Sequence, residues 1–168
     1  MASEKKIVTI AALKRRLRAD RQAGKTIAFT NGCFDILHVG HVAYLEAARK
    51  RNRILVVGLN SDRSVSRIKG PDRPINPELS RARVLAALAC VDYVILFNEE
   101  TPYDLIKAVG PDVLIKGGDW TVDNVVGADI VKAKGGRVEI ISYIPDVSTT
   151  GIIAKIKDRM YTQQGHKL

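Results

Sequence analysis

The stretch Thr30-Asn31-Gly32-Cys33-Phe34-Asp35-Ile36-Leu37-His38-Val39-Gly40-His41 decides how this chain is read. Ahead of it, Ile27-Ala28-Phe29 is a short apolar run ended by turn residues, which predicts a buried strand entering a loop. Behind it, Val39, Val42, Leu45 and Ala48 recur at helical spacing and predict a helix from about Gly40 to Lys50 with one apolar face. Strand, tight loop and helix together make a phosphate-binding layout. The unpaired N–H groups and positive dipole end of a helix N-terminus attract anions, and a residue without a Cβ, here Gly32 or Gly40, lets a ligand approach the backbone. His38 and His41 add two side-chain donors at that point.

The remaining composition is compatible with such a site without naming its ligand. A length of 168 residues predicts one domain, and 46% hydrophobic residues can fill its core. The formal charge of +9, from 27 Lys+Arg against 18 Asp+Glu, suits anionic partners in general. Cys33 and Cys90 are the two cysteines and neither lies in a CxxC pair, so neither a disulfide framework nor a zinc site is expected, and a reducing, cytoplasmic setting fits. An N-terminus crowded with arginines and the absence of any run of about 18 apolar residues predict neither a signal peptide nor a membrane span.

Outward from the opening stretch, strands and helices alternate. Residues from about Thr9 to Gln22 set Ile10, Leu13 and Leu17 on one face, with Gly24 as a stop, and predict a docking helix over residues 1–24. Its cations lack interleaved aromatics, which argues against a nucleic-acid arm. Gly24-Lys25-Thr26 resembles a Walker A ending, but that pattern's first glycine would fall at Ala19 and the triplet precedes a strand. Arg53 to Leu59 is a continuous apolar run, the mark of a strand buried on both faces, with Asn60-Ser61-Asp62 read as the loop after it. Lys69-Gly70-Pro71-Asp72-Arg73-Pro74-Ile75-Asn76-Pro77 is read as a long surface loop carrying two cations, because its glycine and prolines exclude regular helix or central strand. A helix near Ser80, a strand over 91–97, a helix through Leu105, Ile106 and Val109 and a strand over 113–116 follow. After them come the turn Gly117-Gly118-Asp119-Trp120, a helix around 128–134 and a strand over 138–141. Ser148-Thr149-Thr150 caps a last helix with Ile152, Ile153 and Ile156 facing inward, and a polar tail frays beyond Met160. This order predicts an α/β fold, a doubly wound parallel sheet over residues 25–158, with a tail at 159–168. The loops opened by Gly32, Asn60, Gly117 and Ser148 should then converge beyond the strands' carboxyl ends, where ligands bind in such sheets.

Read from the residues alone, His38 and His41 serve equally as phosphate donors or as core and capping residues. A metal-ligating pair lacks its third ligand. Cys33 reads as a small packing residue, and Asp35 as a side chain that satisfies turn N–H groups.

Gly32-x-Phe34-Asp35-x-x-His38-x-Gly40-His41 and Ser148-Thr149-Thr150 resemble the paired signature motifs of the cytidylyltransferase-like nucleotidyltransferase superfamily, with its Rossmann-like fold. The stretch from about Lys25 to Lys157, including Ile68 to Pro74 and Lys116-Gly117-Gly118-Asp119-Trp120, is more closely similar to the D-glycero-β-D-manno-heptose 1-phosphate adenylyltransferase family, here without a preceding sugar-kinase domain. The resemblance implies attack by a sugar 1-phosphate oxygen on the α-phosphorus of ATP, releasing pyrophosphate and giving ADP-heptose for lipopolysaccharide or other surface glycans. It implies Mg²⁺ bound mainly through ATP and pyrophosphate oxygens, with no metal-ligating residue of the protein assigned. It also implies a homodimer, with no nucleic-acid or membrane partner. The expected nucleotide side comprises Gly32, Cys33, Phe34, His38, Gly40, His41, Lys116, Gly118, Asp119, Ser148, Thr149 and Thr150. Asp35, Asn60, Lys69 and Arg73 form the expected acceptor side, and His38, His41 and Lys69 the expected catalytic set. The second motif lacks the lysine that some superfamily members carry directly after it; Ile152 and Ile153 follow instead, with Lys155 further on. The alternatives are a cytidylyltransferase acting on glycerol 3-phosphate or a phospho-amino-alcohol, and a non-catalytic nucleotide or nucleic-acid binding protein.

Overall fold

A computed structural model describes residues 3–118, 121–142, 144–145 and 147–164. A helix, α1 (Ile10–Gln22), leads into β1 (Thr26–Gly32), α2 (Val39–Ala48) and β2 (Arg53–Asn60). Then come α3 (Asp62–Lys69), α4 (Glu78–Ala87), β3 (Tyr93–Phe97), α5 (Tyr103–Val109), β4 (Val113–Gly117), α6 (Ala128–Ala133), β5 (Arg137–Ile141) and α7 (Thr149–Gln164). The strands form one parallel sheet in the order β3-β2-β1-β4-β5. Phe29 of the central β1 stands in register with Val56 of β2 and Leu114 of β4.

Successive side chains of a strand face opposite sides of a sheet, and here that alternation separates two cores. Ala28, Leu55, Val57 and Val113 pack under α2 and α4 with Leu45, Ala48 and Leu85. Ile27, Phe29, Val56 and Leu114 pack against α1, α5 and α6 with Leu13, Leu17, Ile106 and Val131. All eight residues of β2 are buried, as its unbroken apolar run requires. The sheet is therefore covered on both faces, and the chain order reverses between β1 and β4, placing a crevice beyond their carboxyl ends.

Two expectations are corrected. Asn60 to Asp62 is not a loop: β2 runs to Asn60, and α3 begins at Asp62 with Ser61 as its cap, the Ser61 hydroxyl oxygen accepting the Ser64 N–H at 3.2 Å. Lys69 thus closes a helix, and the loop shrinks to residues 70–77. In α7, Ile152 and Ile153 are half-buried while Ile156 is 52% exposed, and the helix continues past Met160 to Gln164.

At the opposite edge of the sheet, Glu139 of β5 is held by Arg53 of β2 at 2.8 and 3.1 Å, by Lys50 at 3.1 Å and by Arg137 at 3.0 Å. These bonds, led by Arg53, outweigh burial and hold the Glu139 carboxyl down at about 2. A depressed carboxylate contributes stability that is complete above its unfolded value and is lost as pH falls through its folded one. Between about pH 4.5 and pH 2 this ion cluster should therefore surrender about 3 kcal/mol. Urea unfolding of the wild type and Glu139→Gln at pH 6 and pH 2.5 checks it: the stability gap between them should shrink by about three-quarters of this contribution at the lower pH.

Candidate active site

The turn after β1 carries the first motif in a strained conformation. Phe34 adopts a φ of +44°, a left-handed value unusual outside glycine, and its ring is nevertheless buried. It packs at 5.2 Å from the His41 ring. Any Cβ at Gly32 would lie 3.0 Å from that Phe34 ring, and one at Gly40 would lie 3.1 Å from the His38 ring. A side chain at either position would press on those rings and make them give by a few tenths of an ångström.

His38 precedes α2 in an extended conformation, and its carbonyl accepts the N–H groups of His41 and Val42. Its ring stacks on His41 with centroids 3.8 Å apart and planes 26° apart. Both Nδ1 atoms are buried without a hydrogen-bond partner among the described residues. Burial lowers the His38 pKa; burial, reinforced by the neighbouring His38, lowers that of His41 to about 4. At neutral pH the empty pair is uncharged, and an anion seated against it would raise both values.

These rings line a cavity of about 1020 Å³ beyond the carboxyl ends of β1 and β4. Gly32, Cys33, Phe34, Gly40, Lys116, Ser148, Thr149 and Thr150 line it too, as do Asn60, Lys69 and Arg73 from the expected acceptor side. The segments at Gly32, Asn60, Gly117 and Ser148 therefore do converge on one cavity, although Asn60 ends a strand and opens no loop. Lys116 donates to the Asn31 side chain across the β1–β4 junction, and burial lowers its pKa to about 8. Burial also raises the Cys33 thiol, which keeps it protonated at neutral pH. Among the described residues lining the cavity, four carry positive charge, Lys69, Arg73, Lys116 and Lys155, against the single carboxylate of Glu100.

Three expected site residues stand differently. Asp35 does not line the cavity: its carboxylate accepts from Arg73 Nε at 2.6 Å and from the N–H groups of Ile75 and Asn76. Burial pushes its pKa up, but these donors together bring it below the ordinary carboxylate value. Asp35 fastens the 70–77 loop and so aims Arg73, with both carboxylate oxygens engaged by that loop. Gly118 does not line the cavity either, and its N–H donates to Ile141, tying the β4 turn to β5. Asp119 lies outside the described residues.

The second motif behaves as a cap with an added anchor. Ser148 accepts the Gly151 N–H through its hydroxyl oxygen at 3.0 Å and the Ile152 N–H through its carbonyl. The Thr149 hydroxyl donates to the Ile36 carbonyl at 3.2 Å, fixing the start of α7 to the first motif's loop.

One organiser was illegible in the sequence. Arg81 of α4 has a fully buried side chain that donates to the carbonyls of Cys33, Asn60 and Asn76 and to the Asp62 carboxylate. It joins the turn after β1, the end of β2, the start of α3 and the 70–77 loop.

A family model described as cytidylyltransferase-like matches residues 29–160. The chain belongs to the cytidylyltransferase-like family. The match spans both motifs and every segment that meets Arg81. The cytidylyltransferase-like chain is 53% identical over 156 residues to the bifunctional protein HldE of Syntrophotalea carbinolica, covering 93% of this chain and 32% of that protein. It is 55% identical over 155 residues to the bifunctional protein HldE of Methylobacillus flagellatus, covering 92% and 32%. It thus spans about a third of the length of these relatives. Among solved structures, the lipopolysaccharide core biosynthesis protein of Thermoplasma volcanium GSS1 resembles it with a TM-score of 0.56 at 31% identity, over 71% of this chain and 96% of that one. No helix among the described residues is long and apolar enough to cross a membrane.

Proposed function

We propose that this chain is an adenylyltransferase that moves AMP from ATP to D-glycero-β-D-manno-heptose 1-phosphate, giving ADP-heptose and pyrophosphate for surface-glycan synthesis. The observation that carries the reading is one cavity in which a stacked histidine pair, the start of α7 and the Lys69–Arg73 wall meet. The HldE relatives and the lipopolysaccharide core neighbour support the sugar class.

In the reaction an anionic oxygen of the sugar phosphate forms a bond to the α-phosphorus. The bond from that phosphorus to the α,β-bridging oxygen breaks, and its electron pair leaves with pyrophosphate. No covalent enzyme intermediate is needed, so the protein's work is alignment of two anions and neutralisation of developing charge. His38 and His41 bind the reacting α-phosphate and gain protons as it arrives. Gly32 and Phe34 offer backbone to the nucleotide, with Cys33 and Gly40 beside them. Thr150 and the first-turn N–H groups of α7 take the β- and γ-phosphates, while Thr149 keeps its hydroxyl on Ile36. Lys69 and Arg73 grip the acceptor phosphate next to Asn60, and Lys116 lies between the two substrates.

A Mg²⁺ would be carried on the phosphate oxygens of ATP and pyrophosphate, with no residue of the protein assigned to it. When bound, it neutralises phosphate charge. The reaction belongs in the cytoplasm, and the acting species is a homodimer.

Pyrophosphate release measured across sugar phosphates and nucleoside triphosphates tests the reading. Turnover should be greatest with ATP and the heptose 1-phosphate. Turnover dominated by CTP with glycerol 3-phosphate or a phospho-amino-alcohol overturns it in favour of a cytidylyltransferase. ATP binding without pyrophosphate release overturns it in favour of a nucleotide sensor.

A further inference from the structure

We propose that Glu100 is a specificity-determining residue whose carboxylate accepts hydroxyl hydrogen bonds from the acceptor sugar. The assignment rests on the adenylyl-transfer reading and adds to it a group that reads the sugar, since Lys69 and Arg73 address only its phosphate.

A carboxylate is out of place in a cavity that serves phosphates alone. Among the described lining residues Glu100 is the one acid beside Lys69, Arg73, Lys116 and Lys155, and its like charge opposes a phosphate. Hydroxyls reverse that balance. An ionised carboxylate only accepts, through two oxygens, and its bonds from O–H donors are charge-assisted and short. A sugar phosphate carries an anion and a set of hydroxyl donors on one molecule. A wall that offers two cations and one carboxylate matches both parts of it.

The carboxylate is placed by a buried relay. Glu100 lies in the 98–102 segment between β3 and α5. The Asn60 side-chain amide donates to the Ser64 hydroxyl at 2.9 Å, and that hydroxyl donates to the Glu99 carbonyl at 2.7 Å. Both Asn60 and Ser64 are buried. The Ser61 N–H adds a bond to the Phe97 carbonyl at 2.9 Å. The segment is thereby fastened to the end of β2 and the first turn of α3, the helix that Lys69 closes. The two adjacent acids then diverge. The Glu99 carboxylate turns back to accept the Asn98 N–H at 3.0 Å and does not line the cavity, whereas Glu100 does. Among the described residues no hydrogen bond or ion pair engages the Glu100 carboxylate, so both oxygens are open to a ligand.

The test compares heptose 1-phosphate with methyl phosphate, which keeps the anion and lacks the hydroxyls. Affinities for both should be measured by calorimetry in the wild type, Glu100→Ala, Glu100→Gln and the control Glu99→Ala, beside steady-state kinetics with ATP. We expect Glu100→Ala to lose about tenfold in affinity for heptose 1-phosphate and in kcat/KM for it, with KM for ATP within about twofold. Its affinity for methyl phosphate should hold or rise up to about threefold, because a repelling charge is gone. Glu100→Gln keeps a carbonyl acceptor and should recover part of the sugar affinity, and Glu99→Ala should match the wild type. Parallel losses of both phosphates in Glu100→Ala would mark a structural role and overturn the assignment, as would an unchanged heptose affinity. A wild type that binds heptose 1-phosphate no more tightly than methyl phosphate overturns it too. Absence of turnover with every sugar phosphate defeats the adenylyl-transfer reading instead, and the binding comparison still decides the role of Glu100.

Discussion

Replacing His41 by alanine is expected to lower kcat by about 10²–10³-fold while the protein stays folded, the size of loss seen when one donor to a developing oxyanion is removed. The ring is stacked on His38 at 3.8 Å and braced by Phe34, and its Nδ1 has no partner among the described residues. A buried polar nitrogen left unsatisfied destabilises the empty protein, which points to a role completed by ligand. Its removal should cost little stability, since the half-buried ring adjoins an open cavity. Steady-state kinetics with ATP, beside a melting curve, is the measurement. Near-normal turnover in the folded variant would reduce His41 to a packing partner of Phe34. In the wild type, imidazole NMR titration should show both histidines neutral at pH 7 without ligand and shifted upward by triphosphate.

The second large effect is expected at Arg81. Its guanidinium is fully buried and satisfies three backbone carbonyls and one carboxylate from four segments. Arg81→Met keeps much of the apolar stem but leaves those acceptors unpaired, so stability should fall by about 3–5 kcal/mol. Arg81→Lys should rescue little, because an ammonium cannot span acceptors that a planar fork reaches together. Urea unfolding measures the first effect. Under conditions where Arg81→Met remains folded, KM for the sugar phosphate should rise more than KM for ATP, because Asn60, Asn76 and Asp62 belong to the acceptor wall. A variant as stable as the wild type would show that the four segments meet without the arginine.

These two residues also mark where sequence reading succeeds and where it fails. His38 and His41 stand out locally, three apart at a strand–turn–helix junction, and the apolar runs of β1, β2 and β4 announce a covered parallel sheet. Ser148 is legible as a cap because capping is a bond across three residues. Arg81 is not legible: on α4 it reads as one more solvated cation, and its acceptors Cys33 and Asn60 lie 48 and 21 residues away. Asp35 does satisfy backbone N–H groups, as its turn position predicts, but they belong to Ile75 and Asn76, 40 and 41 residues on, and its carboxylate also holds Arg73, which no local pattern announces. Helix α3 escaped detection because Val65 and Ile68 are its only large apolar residues, too few to display a period, and Ile68 remains exposed.

The sequence by itself determined the doubly wound sheet, the strand–turn–helix unit at Gly32 to His41 and the capped start of α7, because each depends on periodicity or on bonds between near neighbours. The tertiary structure alone decided that Asp35 aims Arg73, that Thr149 anchors α7 to Ile36 and that Arg81 joins the turn after β1, the end of β2, the start of α3 and the 70–77 loop. It also decided which lysines share the cavity. Those arrangements depend on hydrogen bonds and charge placements between residues distant along the chain, which no local pattern encodes.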